Sequence, residues 1–538
     1  MKYIKQCIIW CIIYLISLVQ TRFIEEEDGY CLIYVNNTFG IDTGYGYQKR
    51  QEPQQFVTSV MEEIHQLIIE NKDTYKNIEG LQVLEEKKSF LKKRSNDIYI
   101  NDVYQISSLN DITVLSSYFS FEINEMVKSI PGILGSEPKR KMKLVLPKKD
   151  IVPLHKEKRD FSDFSRYNSF INNLKFETKW KDVEIRENTD LHLSLMSQGI
   201  FNGTSDQYDT NYYYPKTAGE DIDIYIIDSG FNFKHPEFSN TNERTVKCLG
   251  TFSNGTIIEP ESDDYCASGN IHGELTSDCA SGINHGAASK ANIYGIALAM
   301  EDEYEETFDT ESFIMILDYI SKNIKMRPYK SIINISMGES FSFKDTNFYD
   351  YTQKIFDHFN KQGVVTFVSA GNDGNKVYDI ENDSIYLPCA LDSVICVGAI
   401  DSNGSDRDPD MSLREYFSDQ MNPQNYIRAD FSNYGEKVNI YGPGYAKVEY
   451  QGTRSSMEFV YPGTSLTTPL IAGIAATIMS EHPEIQFNTD SMLSYLTLNG
   501  HRDILGNIPE GPNIFINNGR KSVYIKNTLK EDTKDNFY

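Results

Sequence analysis

A hydroxyl at the head of an apolar helix is the first group in this chain placed to do covalent chemistry. The stretch 461–476 reads YPGTSLTTPLIAGIAA. Pro462-Gly463 halts any preceding strand, and residues 470–476 are then apolar and mostly small. A helix that is apolar all round belongs inside a sizeable core. Ser465 stands at its N-terminal end, where backbone N–H groups and the positive end of the helix dipole favour developing negative charge. A hydroxyl there is a candidate nucleophile. Serine is also a common N-cap, so this window alone leaves both roles open.

The elements that must position such a group are legible upstream. From residue 221 short apolar strands alternate with helices, which is the pattern of a parallel sheet covered on both faces. Strands are expected at 221–230, 293–297, 331–336, 364–369, 393–399 and 439–441, with helices at 312–324 and 348–362. Catalytic groups in such sheets sit at the carboxyl ends of strands. Asp228, Asn334, Ser336 and Asn372 all fall there.

The N-terminal part reads differently. CLIYV (31–35) has strand composition. Phe56, Val60, Ile64, Leu67 and Ile68 have helical spacing. A strand at 112–121, a helix at 122–130, a turn at Pro131-Gly132 and an edge strand at 142–146 follow, giving a small α+β domain over 30–146. A linker and wrapping segment is expected over 147–219. It opens with Lys148, Lys149, Lys156, Lys158 and Arg159, and its second half shows no clear periodicity. Lys158-Arg159 is either a dibasic processing site or a solvated charge run.

The chain has 538 residues and a net charge of −25, which argues against a nucleic-acid surface. Lys2 and Lys5 precede an apolar run from Cys7 to Val19, then an acidic cluster. That is a secretory signal over 1–21, and the run is short for a membrane span. A retained anchor is the alternative. Cys31, Cys248, Cys266, Cys279, Cys389 and Cys396 lie beyond the signal. Spacing fixes no connectivity; Cys248 with Cys266, flanking a polar loop, is the preferred pair. The absence of a CxxC argues against structural zinc of the cysteine type.

Four motifs occur in order: IIDSGFNFKHPEF (226–238), NIHGE (270–274), VSAGNDG (368–374) and GTSLTTP (463–469). The order Asp, His, Ser is that of the subtilisin class. Over about 221–480 the chain resembles the subtilisin-like serine proteases, similar to the secreted proteinase K-like members. SMGES (336–340), FSNYG (431–435) and IYGPG (440–444) add to the likeness. The resemblance implies an α/β subtilisin-like fold with a mostly parallel central sheet and helices on both faces over 220–518. A polar tail is expected over 519–538. It implies that Ser465 attacks the scissile carbonyl, His272 relays the proton and Asp228 orients and stabilises the imidazole. Asn372 would donate to the oxyanion. Ser336, Met337 and Gly338 would form one edge of the peptide cleft. Ser369, Ala370 and Gly371 would floor the pocket for the residue before the cut.

The segment 120–144, SFEINEMVKSIPGILGSEPKRKMKL, resembles the end of the family's inhibitory pro-domain. The implied protein is a secreted endopeptidase made as a zymogen. Polypeptides would be its substrates, its own pro-domain would be an intramolecular inhibitor, and a monomer is expected. No cofactor is required for catalysis. A structural calcium near the Gly-Pro-Gly turn is weakened by Asn439, where relatives carry an acid. The chain departs from the family after His272-Gly273, where Glu274 to Asp278 replace the usual residues, and at Leu466, Thr467 and Leu470. His285-Gly286 is a rival base, disfavoured by its place in the downstream glycine turn. A weak or inactive relative that binds peptides is the alternative function. Asp379, Glu381 and Asp383 hint at basic residues before the cut, with a solvated loop as the plainer explanation.

Overall fold

The computed structural model describes residues 28–39, 53–77, 99–100, 102–144, 164–202, 208–253, 255–260, 262, 264–266, 271–299, 307–401, 426–451 and 456–523. The expected signal segment and the basic linker lie outside these. Among the described residues no helix is long and apolar enough to cross a membrane. The chain divides into two compact units. The first comprises Met1–Arg140 with Asp309–Ile320 and Asp345–Tyr351; the second comprises Lys141–Phe308, Ser321–Lys344 and Thr352–Tyr538.

The first unit is an antiparallel sheet in the order Tyr99–Ile100, Val103–Leu109, Ile112–Phe119, Gly29–Asn36, Ile133–Pro138. Every residue of the central Ile112–Phe119 strand is buried. Leu109 pairs with Ile112 across the two-residue turn Asn110-Asp111. Asn110 adopts a φ of 54° there, the left-handed conformation that asparagine tolerates in tight hairpins. The helix Pro53–Glu70 buries Val57, Val60, Met61, Ile64 and Ile68 at the spacing expected. Ser120 caps Phe121–Val127 by accepting from Ile123 N.

Two strands of this unit, Val103–Leu109 and Ile133–Pro138, had no clear sequence signal, because their polar residues are consumed by packing. The Ser107 hydroxyl bonds Asp318 and Tyr351, and Tyr104 donates to Glu311 at 2.6 Å. Glu137 accepts from the backbone N–H groups of Asn347 at 3.0 Å and Phe348 at 3.2 Å. It is thus an anion at the N-terminus of the helix Thr346–Lys361, where the macrodipole favours one.

The second unit is built on an 11-stranded sheet. Its main path runs Thr256–Ile258, Val246–Ser253, Asn292–Leu298, Asp223–Asp228, Ser331–Ile335, Val364–Ser369, Ile395–Asp401, Ile440–Pro443, Ile514–Phe515, His501–Arg502. Pairing is parallel from Val246–Ser253 through Ile514–Phe515, with antiparallel strands at the edges. Asp223–Asp228, Ser331–Ile335 and Val364–Ser369 are buried throughout, as both-face coverage requires. The α/β class and the expected central strands are therefore present. Val246–Ser253 was missed because its burial alternates and its pairing shifts register near Gly250.

Three boundaries differ from expectation. The α+β unit ends at Arg140 rather than 146, because Lys141–Leu144 pairs within the second unit. The segment 164–215 holds a helix, Phe164–Thr178, and a hairpin of Val183–Arg186 with Tyr212–Pro215. Leu174, Trp180, Val183 and Tyr213 form their own small core. The ordered body continues past 518: Arg520 is fully buried, stacks over Tyr213 at 3.8 Å and donates to Ser197 O at 3.2 Å.

Cys248 pairs with Cys266, as expected, with Cα atoms 5.9 Å apart; Cys389 pairs with Cys396 at 4.9 Å. Cys31 and Cys279 are buried free thiols.

Candidate active site

Asp228 ends its strand with no exposed surface. Its Oδ1 accepts from its neighbour Ser229 N at 2.7 Å and meets His272 Nδ1 at 2.8 Å. Its Oδ2 accepts from Thr276 Oγ1 at 3.3 Å. His272 opens the helix His272–Ser281. The following glycine is forced by space, since a Cβ at 273 would lie 2.6 Å from Gly230 O and 3.0 Å from the Phe231 ring. Gly273 N donates to Ser229 Oγ at 3.0 Å, which ties this helix to the end of the Asp228 strand.

Ser465 is the second residue of the helix Thr464–Glu481, which is buried at nearly every position. This helix packs on the His272 helix at Gly473, where a Cβ would press on Ala280 O and the Ala287 methyl. Pro469 lies inside the helix. Proline has no N–H, so the bond it would have given to the carbonyl four residues back, Ser465 O, is missing. Ser336 Oγ supplies the replacement, donating to Ser465 O at 2.8 Å, and is itself held by Asn334 Nδ2 at 3.1 Å. Ser336 therefore spends its hydroxyl on positioning Ser465. The sequence signal was available: a proline four residues after a serine implies an external donor to that serine's carbonyl.

Asn372 is locked to the head of the same helix. Its Oδ1 accepts from Thr464 N at 3.0 Å and Thr464 Oγ1 at 2.9 Å. Since a backbone N–H can only donate, the oxygen faces Thr464 and Nδ2 is turned the other way. Gly371 N donates to Thr464 Oγ1 at 3.3 Å. Asn433, from FSNYG, clamps this loop. It donates to Ala370 O at 2.8 Å and accepts from Asp373 N and Asn375 N at 3.2 and 2.8 Å. Gly371 has a φ of +100°, and a Cβ there would collide with the Asn433 amide. Sequence reasoning noted FSNYG only as support; its asparagine is what shapes the loop 370–375. Ser369 Oγ is buried and bonds no described residue.

The structure thus brings Asp228 to His272 and Asn372 to the Ser465 helix. The expected bond from Ser465 to His272 is not made: Ser465 Oγ is buried and bonds no described residue. Such contacts are often long without substrate and tighten on binding. The rival His285 lies elsewhere, with Nδ1 3.0 Å from Asp278 and 3.8 Å from Glu237. Burial works to lower its pKa, but Asp278 and Glu237 push it up to about 9. A side chain that keeps its proton at neutral pH is a poor general base.

The strand Met337–Phe341 has Ser384–Leu387 on one side and Lys141–Leu144 on the other. Met337 faces Leu144 and Gly338 faces Lys143 in antiparallel register. Met142 and Leu144 are buried while Lys141 and Lys143 point out. Asn439 Oδ1 accepts from Cys396 N at 2.7 Å. Asp379 and Asp383 bond their own loop and the nearby Ser342-Phe343 turn, in keeping with a solvated loop.

Residues 219–513, more than half of the chain, match the model of the peptidase S8 subtilase family. Subtilisin-like protease 2 of Pseudogymnoascus destructans is 28% identical over 270 residues, covering 50% of this chain and 54% of the relative. Subtilisin-like protease 2 of Arthroderma benhamiae is 29% identical over 278 residues, covering 50% and 53%. The chain spans about half the length of the curated relatives it matches. Among solved structures, a cold adapted subtilisin-like serine proteinase aligns with 62% of this chain and 99% of its own, at 20% identity and a TM-score of 0.46. The chain belongs to the subtilase family.

Proposed function

We propose that the chain is a serine endopeptidase, secreted and made as a zymogen. Ser465 is its nucleophile, His272 the general base, Asp228 the orienting carboxylate and Asn372 the oxyanion donor. The observation that carries this reading is the 2.8 Å contact between His272 Nδ1 and Asp228 Oδ1, both groups fully buried. A histidine held at Nδ1 presents Nε2 for proton transfer. The test is labelling of the purified protein with a fluorophosphonate, with Ser465→Ala as control. Labelling that persists in the control would reject Ser465, and no labelling of the wild type after linker cleavage would favour an inactive, peptide-binding relative.

Asn372→Ala is expected to lower kcat by about 10²–10³, the range known for removing one such donor in subtilisin. KM should change little. The substitution also strips Thr464 N of its acceptor, so its Tm should fall as well. A kcat within threefold of wild type would remove Asn372 from the oxyanion site.

The strand Lys141–Leu144 acts in this reading as a built-in occupant of the peptide cleft. Main-chain pairing to Met337 and Gly338 supplies affinity and the buried Met142 and Leu144 supply register. A tethered segment works at an effective concentration of ~mM, so modest affinity is enough to block a site. Leu144→Asp in the full chain should raise the activity of the uncleaved protein by roughly tenfold or more, because a buried carboxylate disfavours the docked strand. Unchanged activity of the uncleaved protein, measured on a short peptide substrate, would count against autoinhibition.

A further inference from the structure

The helix and loop that follow His272 gather more carboxylate than their hydrogen bonds resolve. Glu237, in the short helical turn Pro236–Phe238, Asp278 in the His272 helix, His285 in the glycine turn and Glu449 in the strand Tyr445–Gln451 meet behind the triad elements. We propose that His235, Glu237, His285 and Glu449 form a site for one divalent cation of the zinc class, separate from the catalytic groups.

Four observations converge on it. Ligand atoms of Glu237, His285 and Glu449 all lie within 4.8 Å of one another. A centre within about 2.8 Å of all three therefore exists, and shifts of well under about 1 Å per side chain would reach zinc–ligand distances of ~2.0–2.2 Å. His285 turns Nδ1 to this cluster, 3.0 Å from Asp278 Oδ2 and 3.8 Å from Glu237 Oε2. His235 accepts Glu237 N at Nδ1, 3.2 Å away, while its Nε2 is buried with no hydrogen-bond partner. The charges acting on that ring are those of Glu449, Glu237 and His285. Asp278 Oδ1 is likewise buried and unbonded, which leaves carboxylate charge near His285 that hydrogen bonds do not balance.

Glu237 is already ordered for the role. Its Oε2 accepts from Asn284 N at 2.6 Å and from His285 N at 3.4 Å, and its Oε1 accepts from Asn284 Nδ2 alone and so retains a lone pair. Arg244 is nearby, but its guanidinium donates to the carbonyls of Ser281, Ala291 and Glu237. Two imidazoles and two carboxylates suit zinc better than calcium, which takes oxygen ligands alone. Binding would displace the proton from the ligating nitrogen of His285 to solvent.

The test uses the full chain carrying Ser465→Ala, stripped with chelator and titrated with zinc chloride by calorimetry. One zinc per chain and a rise in Tm are expected. Glu449→Gln keeps the side chain's size and should weaken zinc binding about tenfold or more while leaving the metal-free Tm unchanged. His235→Asn is the second variant: its Oδ1 can still accept Glu237 N, but the Nε2 ligand is gone, so the same weakening is expected. No saturable zinc binding, binding unchanged in both variants, or stabilisation by calcium and not by zinc would each overturn the proposal.

Discussion

Ser465→Ala is expected to lower kcat on a peptide substrate on the order of 10⁶-fold, with Tm unchanged or slightly higher. The size of the loss is the one known for nucleophile removal in subtilisin rather than one read from this chain's geometry. The stability expectation does come from the structure. Ser465 Oγ is fully buried and bonds no described residue, so deleting it removes an unsatisfied polar atom and leaves only a small gap. What holds this residue is backbone: Ser336 Oγ on its carbonyl, and Thr464 N fixed by Asn372. Alanine keeps all of it. A large fall in Tm would mean that the hydroxyl is structural. Turnover near wild type with an intact fold would mean that the nucleophile lies elsewhere. If the Met337–Gly338 edge binds substrate as proposed, peptide binding should survive the substitution, which leaves that edge untouched.

Much of this arrangement was legible in the sequence, and the limits have physical causes. The parallel strands announced themselves because strands covered on both faces are near-continuous apolar runs, as residues 224–227 of IYIID and the isoleucines of SIINI show. The helix carrying Ser465 was legible for the same reason. The N-terminal strands Val103–Leu109 and Ile133–Pro138 were not. Their hydroxyl and carboxylate groups are paired with helix residues some two hundred positions away, and no local pattern encodes those partners. The same holds for Asn433: a motif showed where it is, but only the fold shows it bonded to Ala370. The edge strand expected at 142–146 is present as Lys141–Leu144, which pairs with Met337 and Gly338. Its alternation of lysine with buried Met142 and Leu144 is the period of a strand with one face covered. Arg520 shows the opposite case. An arginine in a polar tail reads as solvated; its stacking on Tyr213 and its bond to Ser197 O hold it in the interior.

Asp228→Asn is expected to lower kcat by about 10³–10⁴ with little change in KM. Removing the negative charge from such a triad costs ~10⁴ where the imidazole also turns to the wrong tautomer. Here the local hydrogen bonds resist that second effect. Asp228 Oδ1 accepts at once from Ser229 N and from His272 Nδ1. A backbone N–H can only donate, so an asparagine at 228 is held with its oxygen in the Oδ1 position. That oxygen still accepts the His272 Nδ1 proton. Its amide nitrogen then falls where Oδ2 was, facing Thr276 Oγ1. The threonine can accommodate it by donating to Gly273 O, 3.0 Å away, and accepting from the amide. What the variant loses is the charge that stabilises the imidazolium formed in the transition state, which costs rate and not substrate affinity. Two measurements check this together. Steady-state kinetics should show the loss in kcat, and proton NMR should retain a downfield His272 Nδ1–H signal in the variant. Activity within tenfold of wild type would remove Asp228 from the catalytic machinery. Disappearance of the Nδ1–H signal would show that the ring has switched tautomer, and that Ser229 N does not control the amide.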